Sequence, residues 1–135
     1  MARRIRIEMS GEVGYATFYE DESPATCKAV WEALPIAYPH VLHARFSGEE
    51  AFFPLDAQLT AKLENQLFNT KPGDIGYYVQ GPSICIYYGE LVVRTPGSVF
   101  ARITENWEGL YRVCKRTWKD HNIAVKLTRA EEGRK

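Results

Sequence analysis

The chain has 135 residues, a formal net charge of zero from 17 basic and 17 acidic side chains, and 45% hydrophobic and 13% aromatic content. That length fits one domain, able to bury about two thirds of its unfolded surface without disulfides or a structural metal, and the composition excludes disorder and low complexity. Balanced charge excludes a net field that would draw the protein to nucleic acid or to an anionic membrane. Local basic clusters at Ala2-Arg3-Arg4 and Arg112 to Lys119 are interleaved with apolar residues or acids and read as solvated faces.

No apolar run approaches the roughly 20 residues of a membrane helix. The start of the chain, Met1-Ala2-Arg3-Arg4-Ile5-Arg6, alternates charged and apolar residues and lacks the apolar region of a signal peptide. A cytoplasmic location is the default expectation, with neither nucleic acid nor membrane as a partner. Cys27, Cys85 and Cys114 are odd in number, widely spaced and without a C-x-x-C pair, which fits small buried hydrophobes in a reducing compartment. His40 and His43 are close, but no third ligand has the spacing of a metal site, and no cofactor motif is present.

Arg4 to Met9 alternates polar and apolar residues as a half-buried strand does, and Ser10-Gly11-Glu12 supplies a turn. Val13 to Tyr19 continues as a second strand, with Gly14, Ala16 and Phe18 on one side and Val13, Tyr15, Thr17 and Tyr19 on the other. Ser23 and Pro24 then mark a helix start, as cap and first position, behind the acids Glu20, Asp21 and Glu22. Cys27, Val30, Trp31 and Leu34 form its apolar stripe, and Pro35 ends it. Ile36 to His40 reads as a connector.

Val41 to Phe46 and Glu50 to Phe53 read as two strands of a hairpin joined through Ser47-Gly48-Glu49. Strict alternation places Leu42, Ala44 and Phe46 on one face, and Val41, His43, Arg45 and Ser47 on the other. A guanidinium and an imidazole on one face suit a carboxylate or a polarised carbonyl. Arg45, His43 and Glu49 are therefore the candidate catalytic residues, with Ser47 and Phe52 as substrate contacts. A solvated face with His43 and Arg45 paired to Glu49 or Glu50 is the competing reading.

Asp56 to Thr70 is mixed: Leu59, Leu63 and Leu67 recur every four residues, so a short helix or a rim over a pocket is expected. Lys71-Pro72-Gly73-Asp74 turns the chain into the strand Ile75 to Val79, and Gln80-Gly81-Pro82 into Ser83 to Tyr88. Four tyrosines lie on these strands and either fill a barrel or line a cavity, with Tyr77 and Tyr87 the candidates for ligand contact. Leu91 to Thr95 and Ser98 to Thr104 read as further strands, the latter with Val99, Ala101 and Ile103 on one face. Asn106 caps a second helix whose stripe runs Trp107, Leu110, Tyr111, Cys114 and Trp118. Ile123, Val125 and Leu127 make a last strand before a charged tail over 129–135.

The expected fold is a single mainly β domain over 1–128: a closed, mostly antiparallel barrel of about eight strands with two helices covering its openings. Glu20-Asp21-Glu22-Ser23-Pro24-Ala25-Thr26, Trp31-Glu32-Ala33-Leu34-Pro35, Leu42 to Glu49, Pro72 to Tyr78 and Tyr88-Gly89-Glu90 resemble an uncharacterised bacterial family of small cyclophilin-like barrel proteins. More distantly the order of elements resembles cyclophilins. His43-Ala44-Arg45 approximates their Phe-His-Arg motif, but Ala51-Phe52-Phe53-Pro54 stands where they carry Gln-Gly-Gly, which argues against prolyl isomerisation. The resemblance implies a groove beside the 41–55 hairpin, and His43, Arg45, Ser47 and Glu49 with the nearby aromatics suit a small carboxylate or amide-like metabolite there, with hydrolysis or isomerisation as the accompanying chemistry. Related barrels occur in enzymes that open cyclic amides. The alternative is a non-enzymatic module that assembles, as a homodimer, through a tyrosine-rich or helical face.

Overall fold

The computed structural model describes residues 2–66, 70–92 and 96–130. They form nine strands and two helices: β1 (Arg4–Met9), β2 (Glu12–Phe18), α1 (Pro24–Ala33), β3 (Ile36–Tyr38), β4 (Leu42–His43), β5 (Gly48–Pro54), β6 (Asp74–Tyr78), β7 (Ser83–Leu91), β8 (Gly97–Glu105), α2 (Trp107–Arg116) and β9 (Val125–Arg129). One antiparallel sheet runs in the order β3-β9-β1-β2-β8-β6-β7-β5-β4. It curls around the core without closing, which corrects the expected closed barrel. Side chains and one backbone bond bridge the seam: Tyr38 of β3 stacks on Phe53 of β5 with ring centroids 6.3 Å apart, and the Val41 N–H donates to the Ile123 carbonyl at 2.8 Å.

Alternation built the first hairpin as expected. Ile5, Ile7 and Met9 of β1 and Gly14, Ala16 and Phe18 of β2 point inward. Gly14 is required there because a Cβ would collide with the Leu110 side chain of α2, which enters the barrel at that point. α1 covers the other end, with Phe18 edge-on to both Trp31 and Phe100 at 5.9 Å.

Several local expectations yield to tertiary context. Ser23 occupies the cap position of α1 but makes no capping bond. Its hydroxyl donates instead to the Val99 carbonyl at 2.7 Å, and the Thr26 N–H is met by the Glu64 carboxylate at 2.6 Å, from far along the chain. The connector after α1 contains β3, paired on β9. The strand expected over 41–46 shortens to the two residues of β4; the Ala44 N–H adds one more in-register bond to the Glu50 carbonyl, and the chain bends over 45–47.

No helix forms over 56–66, and Leu67 lies outside the described residues. That segment is held as a strap by the Tyr77 hydroxyl, which accepts from the Leu59 N–H at 2.7 Å, and by Ser98, whose hydroxyl accepts from the Glu64 N–H. The strand expected over 91–95 ends as the last residue of β7, and 93–95 lie outside the described residues, as does the tail over 131–135. In β8 a bulge opposite Ile75 and Gly76 breaks the alternation. Phe100 then joins Ala101 and Ile103 in the main core, while Val99 turns to the opposite face of the sheet. Asn106 caps α2 as expected: its side-chain oxygen accepts from the Gly109 N–H at 3.3 Å.

Candidate functional site on the outer sheet face

The hairpin does not gather its polar residues. His43 turns toward α2, where its Nε2 bonds the Tyr88 hydroxyl at 2.6 Å and its ring stands edge-on to Trp118 at 4.7 Å. Its Nδ1 lies 2.7 Å from the Ala44 carbonyl, so both ring nitrogens are occupied. Arg45 is exposed and makes no hydrogen bond or ion pair among the described residues. The Glu49 carboxylate accepts from the Glu90 N–H at 2.9 Å, a backbone-holding role. Tyr77 is wholly inside the barrel, its hydroxyl used by Leu59. Arg45 and Tyr77 therefore stand apart, while Glu49 lies near enough to the Tyr88 hydroxyl bonded by His43 for its charge to raise that group. Strict alternation failed because β4 is too short to keep a pleat beyond His43.

The other three sequence candidates, Ser47, Phe52 and Tyr87, do share a surface: the outer face of the sheet. Strand register lines up Glu50, Tyr87, Asp74 and Arg102 across β5, β7, β6 and β8. The neighbouring row is Leu42, Phe52, Cys85, Gly76 and Val99. Cys85, Tyr87, Leu91 and Val99 form a small second core here, flanked by Tyr19, Phe52 and Tyr78. Gly76 makes room for it, since a Cβ would meet the Tyr87 ring and hydroxyl at under 3 Å. The Ser47 hydroxyl donates to the Glu50 carboxylate at 2.7 Å.

At the β6 and β8 end this face opens into a cleft of about 420 Å³ lined by Tyr19, Glu22, Asn65, Gln66, Lys71 and Asp74 over a Val99 floor. Asp74 is 4% exposed. Its two oxygens accept from the Tyr19 hydroxyl at 2.7 Å and from the Lys71 N–H at 2.9 Å. Burial, then the bond to Asp74, pushes the Tyr19 hydroxyl up to about 12. Burial, then the charge of Glu50, holds the Cys85 thiol well above its ordinary value, so it is a protonated side chain and not a nucleophilic thiolate at neutral pH. Tyr87 is likewise raised, by burial first and then by Cys85, Glu50 and Asp74.

The arrangement offers fixed carboxylates and protonated hydroxyls beside an apolar shelf, which suits polar recognition of a small ligand. Glu50, Asp74 and Tyr19 of this face are not among the sequence candidates. The alternation of β7 carried a signal for Cys85, because Ile84, Ile86 and Tyr88 claim the inner face and leave Cys85 and Tyr87 outside. Among the described residues no group of three or more His, Cys, Asp or Glu is placed to hold a metal ion, and no helix is long and apolar enough to cross a membrane.

Solved structures with this fold include a hypothetical protein from Archaeoglobus fulgidus, 24% identical, covering 96% of this chain and 95% of its own with a TM-score of 0.68. McbB, solved in complex with tryptophan, is 18% identical with a TM-score of 0.80; the match covers 97% of this chain but only 46% of McbB. A cyclophilin-type peptidyl-prolyl cis-trans isomerase from Cryptosporidium parvum is 13% identical, with a TM-score of 0.65 over 98% of this chain and 99% of its own. At these identities the likeness is one of fold. No curated protein matches the sequence. The model of one family matches residues 5–129, nearly the whole chain, and the protein therefore belongs to the DUF3830 family, a family of proteins of unknown function.

Proposed function

We propose that this protein binds a small amide- or carboxylate-bearing metabolite on the outer face of its sheet, beside the 41–55 hairpin. One observation carries the reading: Glu50, Tyr87 and Asp74, three ionisable side chains in register on adjacent strands, the first half-buried and the other two buried, share a face that opens into a cleft. Burying such groups costs stability unless something uses them, and the Tyr87 hydroxyl, raised by burial, is the kind of perturbed group that gathers at functional sites. McbB, solved with tryptophan, adds an analogy of fold in favour of small-molecule binding. Any hydrolysis or isomerisation at the site would draw its proton donor from Tyr19 or Tyr87 and its acceptor from Asp74 or Glu50.

A thermal-shift panel of lactams, ureides and carboxylates tests the reading. Stabilisation by at least one class, lost in Glu50→Gln, is expected, and a flat response across the panel overturns it. A second reading, assembly without catalysis, draws on Phe46 and Val92, which are 86% and 77% exposed and lie beside each other through the bond from the Val92 N–H to the Ser47 carbonyl. Light scattering of the wild type and Phe46→Ser decides it: a monomer in both cases removes assembly.

A further inference from the structure

We propose that the outer-face cleft selects its ligand by charge, taking an ammonium or a neutral primary amide as the head group and rejecting a carboxylate. The inference rests on the reading of this face as a binding site and revises its ligand class, keeping the amide and replacing the carboxylate with an ammonium.

Asp74 is the deciding residue. Both of its oxygens accept hydrogen bonds, from a phenol and from a backbone N–H. Neither donor is a cation, and among the described residues no Lys or Arg side chain pairs with it. A carboxylate only 4% exposed is ordinarily matched by a positive partner. Among the described residues the matching charge is missing, and Asp74 lines the cleft.

The surrounding charges do not reverse this sign. Glu22 adds a second carboxylate at the rim and Glu50 a third along the same row. Among the described residues the nearby cations are Lys71, on the rim, and Arg102, beside Asp74 in the register; both are exposed, where water screens them far more than the buried carboxylate. The positive end of α1 contributes little, because the Glu64 carboxylate already occupies its Thr26 N–H. Asn65 and Gln66 supply amide dipoles that suit either an ammonium or an amide. In the neighbouring row Phe52 is half-buried and Leu42 exposed, which leaves apolar surface on the same face for a body behind the polar head.

Three probes with one apolar body and different heads separate the outcomes: 3-phenylpropylamine, 3-phenylpropionamide and 3-phenylpropionate, titrated calorimetrically into the full chain at neutral pH. The expected order is amine, then amide, then carboxylate, with the amine at least tenfold tighter than the carboxylate. Asp74→Asn should erase that preference. Should Asp74→Asn fail to fold, Glu22→Gln, at an exposed position, should reduce the amine preference severalfold. A carboxylate that binds as tightly as the amine overturns the charge inference and leaves the binding site standing. No binding by any of the three removes both.

Discussion

Tyr87 lies across Gly76, and that contact sets the shape of the outer face. Gly76→Ala should push the phenol aside and destabilise the fold by about 1–3 kcal/mol, as overpacking does. Urea unfolding with tyrosine fluorescence measures it; an unchanged midpoint would mean that the ring has room to move. Gly48 is constrained differently, by a φ of 125° and by the Glu90 carbonyl, which a Cβ would strike. The buried phenols also set a pH limit. Tyr19 and Tyr88 are both raised from 10.0 to about 12, chiefly by burial, so each holds its proton more tightly folded than unfolded. Their contribution is complete below pH 10 and is lost as the pH rises through about 12. Stability from urea titrations should therefore fall steeply between those values, less so in Tyr19→Phe; a flat profile would contradict the burial of both rings.

Helix α2 is the element whose local chemistry and tertiary role agree most closely. Asn106 adopts a left-handed φ of 57°, caps the helix and donates through its side-chain nitrogen to Val13 and Glu12 at 2.9 Å, tying α2 to β2. Asn106→Ala should cost about 1–2 kcal/mol through the lost cap and the strained backbone. Asn106→Gly, which relieves the backbone, should cost less, and thermal unfolding of the two variants ranks them. The apolar stripe of α2 was legible from Trp107 to Cys114 because a 3.6 period repeats over whole turns. Trp118 fell outside it, since the helix stops at Arg116 and leaves that ring 51% exposed against His43. The hairpin shows the opposite case. A period of two says nothing reliable about a strand of two residues, so the faces assigned to His43 and Arg45 had no pleat to enforce them.

At the scale of the molecule, the sheet stays open, and Tyr38 on Phe53 is one of the contacts that bridge its seam. Tyr38→Ala should loosen β3 and raise amide exchange in β3 and β9 before the remainder of the sheet, while global stability falls by a few kcal/mol at most. Uniform exchange across the sheet would show that the seam is not a weak point. The amino-acid sequence by itself determined the β-rich class, both helices, the turns and the inner faces of β1, β2 and β9, because each rests on a local period or on a turn residue's backbone preference. Only the tertiary structure decided the open seam, the bulge that exchanges Phe100 for Val99, the Glu64 cap on α1 and the row of Glu50, Tyr87 and Asp74. Each of these joins residues that are distant in the chain, and strand register, which local patterning does not specify, determines which of them meet.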